Sequence, residues 1–238
     1  MADTIELQIG DVRTTALAAI PAGEAPRGGV VLTFHRDGLD KFTAWHIDAI
    51  AAAGFAAIAP NHYHALPPGV SIDDRRDYIT DEQQALDCAA GAGWLIANAG
   101  VDPRRLAVLG PCMGGRTTLV ALEADPELWR CGCIWYGGGV FRTAAGKLPE
   151  PGDLERLKRV AAPIAGFFGD LDTHPSPADV NELDARLTKL GKPHTFYRYA
   201  TADHGFLNLY GKRYHQDAAT QSWSLALEFL NRHIGSGA

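Results

Sequence analysis

Leu106-Ala107-Val108-Leu109-Gly110-Pro111-Cys112-Met113-Gly114-Gly115 is the stretch that decides the fold of this chain. Its first four residues are a continuous apolar run, the mark of a strand covered on both faces. Gly110 to Gly114 then fits G-x-[Ser/Cys]-x-G, the tight turn that carries a nucleophile from a strand into a helix. In that turn the nucleophile takes a strained backbone conformation, and Cβ atoms at the flanking positions would collide with their surroundings. Glycine at 110 and 114 removes them. The turn lifts the Cys112 sulfur above the sheet and sets it at a helix N-terminus, where the dipole and free N–H groups favour the reactive thiolate.

The rest of the chain supplies the context this turn requires. Residues 5–9 and 12–20, separated by Gly10-Asp11, read as an N-terminal hairpin. Apolar runs at 29–34, 55–59, 131–136 and 163–168 read as buried strands, with a last strand at 194–199. Helical stretches fall at 43–53 (closed by Gly54), 80–98, 113–123, 177–190 and 218–233. Buried strands alternating with helices predict an α/β fold, a doubly wound, mostly parallel sheet with right-handed crossovers. Chemistry in such sheets sits at the carboxyl ends of the strands. There is no internal repeat or low-complexity linker, so one domain over residues 1–238 is expected.

Composition narrows the function classes. Apolar residues make up 46% and charged residues 21%, which excludes a disordered chain. Lys plus Arg is 22 against Asp plus Glu at 28, a net charge of −6, and no basic stripe offers itself to nucleic acid. The start, Met-Ala-Asp-Thr-Ile-Glu-Leu, lacks the basic and apolar regions of a signal peptide. The longest weakly polar stretch, 47–60, is too short to cross a bilayer. Cys88, Cys112, Cys131 and Cys133 are too few for a secreted disulfide scaffold. A cytoplasmic protein with reduced thiols, no membrane or nucleic-acid partner, and a monomeric or homodimeric state is the expectation.

A thiol nucleophile needs a base, and the base needs an orienting group. In the order that goes with this turn, the acid and then the histidine follow the nucleophile. Gly169-Asp170-Leu171-Asp172 follows one strand end and Thr201-Ala202-Asp203-His204-Gly205-Phe206 follows another. His204 is the candidate base; Asp172 is preferred over Asp170 as its partner. For an oxyanion the first donor is the Met113 backbone N–H, and the second is the N–H of Arg36 or Asp37 after the strand ending at Phe34-His35. His62 and His64 form an H-x-H without a third ligand in reach, and no metal site emerges. Cys131 and Cys133 alternate along a strand, so both point to one face and read as packing. Trp135, Tyr136, Phe206, Tyr78 and His174 are candidate pocket-lining residues.

With these residues in place, the chain resembles the dienelactone hydrolase family of α/β-hydrolases. The resemblance covers nearly the whole length. It rests on Gly110-x-Cys112-Met113-Gly114-Gly115, Gly169-x-x-Asp172 and Ala202-x-His204-Gly205-Phe206, supported by Ala53-Gly54-Phe55-x-x-x-Ala59-Pro60 and Trp135-Tyr136-Gly137-Gly138. It implies a single-domain α/β-hydrolase fold, no cofactor, and hydrolysis of carboxylic esters or lactones by Cys112, His204 and Asp172 through a thioacyl-enzyme. Two positions depart from the family. The usual His-Glu pair is His35-Arg36, which predicts a cation near the sulfur. The arginine expected shortly after the catalytic histidine is absent from Phe206-Leu207-Asn208, leaving Arg75, Arg76 and Tyr78 to hold a substrate carboxylate. Rival expectations are a small-ligand binding module on this fold, a thiol redox protein pairing Cys112 with Cys88 or Cys131, and a hydrolase with promiscuous phosphotriester activity.

Overall fold

The structure, a computed structural model, describes residues 1–22, 28–138 and 156–235. Strands β1 (Asp3–Ile9) and β2 (Val12–Ala19) form the N-terminal hairpin, turned by Gly10-Asp11 with Gly10 at φ 55°. After β3 (Gly29–Leu32) come α1 (Lys41–Ala52), β4 (Ala56–Pro60), α2 (Asp81–Ala99) and β5 (Leu106–Pro111). Then follow α3 (Met113–Ala124), β6 (Cys131–Trp135), β7 (Ile164–Gly169), α4 (Pro177–Lys189), β8 (His194–Tyr199) and α5 (Gln216–Ile234). The chain order predicted from apolar runs is the order observed. β4 and β5 each extend through a proline at their last residue, where only one ladder donor is forfeited.

The eight strands form one mixed sheet in the order β1-β2-β4-β3-β5-β6-β7-β8. β1 and β2 pair antiparallel, as do β2 and β4, and every pair from β3 to β8 is parallel. β3 to β7 are wholly buried because helices cover both faces. On one face Phe42, Ile47 and Ile50 of α1 and Ala226 and Leu230 of α5 pack over Val30, Leu109, Cys133 and Phe167. On the other, Leu95 of α2, Leu119 and Leu122 of α3 and Leu183 of α4 pack over Val31, Ile58, Val108 and Ile134. Among the described residues no helix is long and apolar enough to cross a membrane.

The chain leaves β3 toward β4 on one side and returns to β5 on the other, so winding reverses between β3 and β5. A crevice opens at the carboxyl ends of strands at such a switch point. Cys112 follows β5 there, and His35 follows β3.

Candidate functional site

Cys112 is the residue that joins β5 to α3, and it sits at φ 56° and ψ −120°, a region that side chains other than glycine rarely adopt. The surroundings over-determine that conformation. A Cβ on Gly110 would lie 2.0 Å from the Thr33 hydroxyl oxygen, and one on Gly114 would lie 2.1 Å from the Thr33 carbonyl oxygen. The Thr33 hydroxyl itself is buried and donates to the Gly114 carbonyl at 2.7 Å, tying the end of β3 to the first turn of α3. The Cys112 N–H donates to Trp135 O at 2.9 Å, fixing the turn to β6 as well.

The loops after β7 and β8 bring a carboxylate and an imidazole to this sulfur. Gly169 abuts the Ala202 carbonyl so closely that a Cβ there would approach its oxygen to 2.3 Å, and Leu171 N–H donates to the same carbonyl at 3.0 Å. Asp172, buried, has Oδ2 2.8 Å from His204 Nδ1, while its Oδ1 accepts the His174 N–H at 2.7 Å. Of the two aspartates it is Asp172 that meets the ring. Asp170 is turned to Arg198, whose Nε donates to it at 2.7 Å. His174 thus shapes the loop that aims Asp172.

The His204 ring is also hydrogen-bonded to Cys112. Burial opposes charge on both partners, and their mutual attraction outweighs it. The His204 pKa is pushed up to about 10 by its bonds to Asp172 and Cys112 against desolvation. The Cys112 thiol is held below its ordinary value of 9.0, again against desolvation, by His204, the Met113 backbone and the charge of His35. The arrangement favours a thiolate–imidazolium pair. Tyr136, at φ 38°, packs its buried ring 5.0 Å from the His204 ring and 5.1 Å from that of Phe206.

The segment after β3 corrects one expectation. The Arg36 guanidinium is exposed and turned outward, with Nη1 3.2 Å from Asp73 Oδ1, because that carboxylate and solvent offer it better solvation than the crevice. The cation acting on the sulfur is His35, whose Nε2 lies 3.1 Å from Asp40 Oδ1 and whose Nδ1 lies 3.8 Å from Asp37 Oδ2. Burial alone would depress this imidazole, but the two carboxylates and Cys112 raise its pKa. His35, Asp37 and Asp40 also form the one cluster among the described residues with ligand atoms close enough for a metal ion, within 4.8 Å. A turn closed by Gly38 N–H to His35 O at 3.0 Å sets Arg36 and Asp37 at its centre.

The residues foreseen for the pocket are dispersed. Arg75 and Tyr78 lie on a short 3-10 turn, Arg75–Tyr78, and Tyr78 is half exposed. The Arg75 guanidinium stands 5.1 Å over the Tyr63 ring, with Nε buried and without a protein partner among the described residues. The Arg76 side chain lies outside the described residues. Phe206 is buried beside Tyr136. Trp135 is wholly buried and packs among Phe167, His46 and Trp223, so its place is in the core.

The other cysteines offer no resolving thiol. Cys131 and Cys133 are buried on the α1/α5 face, Cys88 is buried on the opposite face, and burial pushes all three thiols up. His62 and His64 do find a third partner, which the sequence spacing did not reveal. Asp87 of α2 puts Oδ2 2.9 Å from His62 Nδ1 and Oδ1 3.0 Å from His64 Nε2. One ring nitrogen of each imidazole meets that single carboxylate. Tyr63, between them, escaped the sequence reading altogether, although its hydroxyl donates to the Arg36 carbonyl.

A model of the dienelactone hydrolase family matches residues 14–234. A Synechocystis sp. protein assigned by name as a carboxymethylenebutenolidase is 27% identical over 79% of this chain and 78% of its own length. A Klebsiella pneumoniae structure assigned as a dienelactone hydrolase superposes with a TM-score of 0.88 at 22% identity, covering 98% of both chains. A dienelactone hydrolase-like promiscuous phosphotriesterase from metagenomic libraries superposes with a TM-score of 0.81 at 20% identity, covering 99% of both. The architecture these structures share is that of the α/β-hydrolases.

Proposed function

The chain belongs to the dienelactone hydrolase family of ester and lactone hydrolases, and from that premise we propose that it cleaves small carboxylic esters or lactones with Cys112 as nucleophile. The observation that carries the proposal is the strained Cys112 at the head of α3, hydrogen-bonded to a His204 that is itself held by the buried Asp172. A thiol on a packing role would need neither the backbone strain nor the imidazole.

In this mechanism the Cys112 thiolate attacks the carbonyl carbon, and the carbonyl oxygen becomes an oxyanion held by the Met113 N–H and an N–H from the Arg36–Asp37 turn. The imidazolium of His204 gives its proton to the leaving oxygen as the C–O bond breaks, leaving a thioester. His204, now neutral, takes a proton from water, which attacks the thioester. Collapse expels the Cys112 thiolate, which again faces the imidazolium. Asp172 keeps the ring in the tautomer that faces sulfur throughout. In a lactone the leaving alcohol stays tethered to the acyl group. Arg75, whose buried Nε faces no protein acceptor among the described residues, is the candidate partner for a carboxylate arm on the substrate.

Comparing wild type with Cys112→Ala and Cys112→Ser on p-nitrophenyl acetate, with and without iodoacetamide, tests the proposal. Turnover is expected to disappear in Cys112→Ala and after alkylation. Equal rates in wild type and Cys112→Ala would sink the nucleophile, and rates no faster than the uncatalysed reaction in both would move the protein to a binding role. A burst without turnover would locate the failure in deacylation.

A further inference from the structure

Resting on the mechanism proposed above, we propose that Tyr63 is a positioning residue: by holding the Arg36 carbonyl, its hydroxyl turns the Asp37 N–H toward the reacting carbonyl as the second oxyanion donor. The Tyr63 hydroxyl donates to Arg36 O at 2.7 Å. In a trans peptide the C=O and the following N–H point in opposite directions within one plane. Fixing the Arg36 oxygen toward Tyr63 therefore fixes the Asp37 N–H away from it. Among the described residues no protein group takes that hydrogen. The same hydroxyl lies 3.5 Å from Met113 Sδ, so one side chain touches both residues whose backbones flank the oxyanion.

Tyr63 is built to hold this position. Its N–H is taken by Asn61 Oδ1 at 3.0 Å, and the residues on either side, His62 and His64, are clamped to opposite oxygens of Asp87. Its ring packs 5.1 Å from that of Phe34 at the end of β3, and the guanidinium of Arg75 covers it. Gly38, at φ 88°, closes the turn against the same ring, where a Cβ would come within 3.3 Å of Tyr63 Cδ2. The otherwise unexplained His62–Asp87–His64 cluster thereby gains a purpose: it fixes the tyrosine that orients a peptide plane.

The test removes only the hydroxyl. Wild type, Tyr63→Phe and Cys112→Ala are compared on p-nitrophenyl acetate, with a trifluoromethyl ketone as a probe that forms a tetrahedral adduct on Cys112. For Tyr63→Phe, kcat/KM is expected to fall about 10-fold, less than the ~100-fold or more that follows outright loss of an oxyanion donor. The ketone's inhibition constant should rise by the same factor. Iodoacetamide alkylation of Cys112, which forms no oxyanion, should keep its rate and pH profile within about 2-fold. Unchanged kcat/KM in Tyr63→Phe, with Cys112→Ala inactive, overturns the Tyr63 role alone. A parallel loss of alkylation rate also overturns it, since the hydroxyl would then support the sulfur and not the peptide. Turnover surviving in Cys112→Ala overturns the nucleophile and this inference with it.

Discussion

The thiol of Cys112 and the imidazole of His204 charge each other, and at the scale of single residues that exchange sets how the protein responds to pH. Desolvation acts against both charges. What remains favourable is the pair itself, with Asp172 behind the imidazole and His35 beside the sulfur. The direction of each shift follows: the thiolate forms below the ordinary thiol value of 9.0, and the imidazolium persists up to about 10. Alkylation by iodoacetamide reads the thiolate fraction directly. In wild type its rate should rise with an inflection below 9.0. In His204→Gln the inflection should move upward, because burial then acts on the thiol with its main counterweight gone. His35→Gln should move it upward by less, and Arg36→Met should leave it in place, since that guanidinium is engaged with Asp73. An inflection that moved with Arg36 and stayed put with His35 would contradict the assignment of the acting cation.

Where β5 passes into α3, the elements meet with no room to spare, and glycines there have different consequences from glycines elsewhere. A Cβ at Gly114 would run into the backbone of Thr33 and Phe34 directly after β3, which cannot move without shifting the sheet. Gly93, exposed on α2, has nothing within 4 Å of its would-be Cβ. Gly93→Ala should therefore stabilise the protein by about 0.5–1 kcal/mol through helix propensity, with alkylation of Cys112 unchanged. Gly114→Ala should lower the melting temperature sharply and abolish turnover; a Gly114→Ala protein as stable and active as wild type would show that the turn can relax. The contrast also explains what the sequence could tell. Buried parallel strands are continuous apolar runs, so β3 to β7 and the turn at Cys112 announce themselves within a few residues. Asp172 and His204 were reachable because each follows a strand end. Thr33, Tyr63 and Asp87 were not. Each acts on a partner more than twenty residues away, with no local periodicity to mark the contact. Even the departure at Arg36 was visible as a residue and misread as a direction, because side-chain orientation depends on where Asp73 lies.

Over the whole molecule, two buried groups on opposite faces of the sheet should nearly cancel in the dependence of stability on pH. His46, on α1, is wholly buried in an aromatic cluster with Phe42, Trp135 and Trp223, and neither ring nitrogen has a partner among the described residues. Desolvation, aided by the charge of His35, lowers its pKa from 6.5 to about 3. The unfolded chain then binds the extra proton between those values, so this group's contribution is lost as pH falls from 6.5 toward 3. Glu123, on α3, is buried beside Arg156, whose Nε lies 3.0 Å from its Oε2. Desolvation, opposed by Arg156, raises its pKa from 4.5 to about 7. Here the folded state holds the extra proton, so stability is gained as pH falls from 7 to 4.5 and is lost as pH rises through 7. Between 4.5 and 6.5 each slope is at most about 1.4 kcal/mol per pH unit, and they have opposite signs. In wild type the slopes of these two groups should accordingly offset each other across that window. His46→Leu, which removes only the histidine's contribution, should become more stable on acidification. Glu123→Gln, which keeps the neutral shape and the contact to Arg156, should become less stable. Melting curves of all three from pH 4.5 to 6.5 decide the matter. Parallel curves would mean that neither group titrates as its burial dictates, and a flat response in one variant alone would identify which environment water reaches.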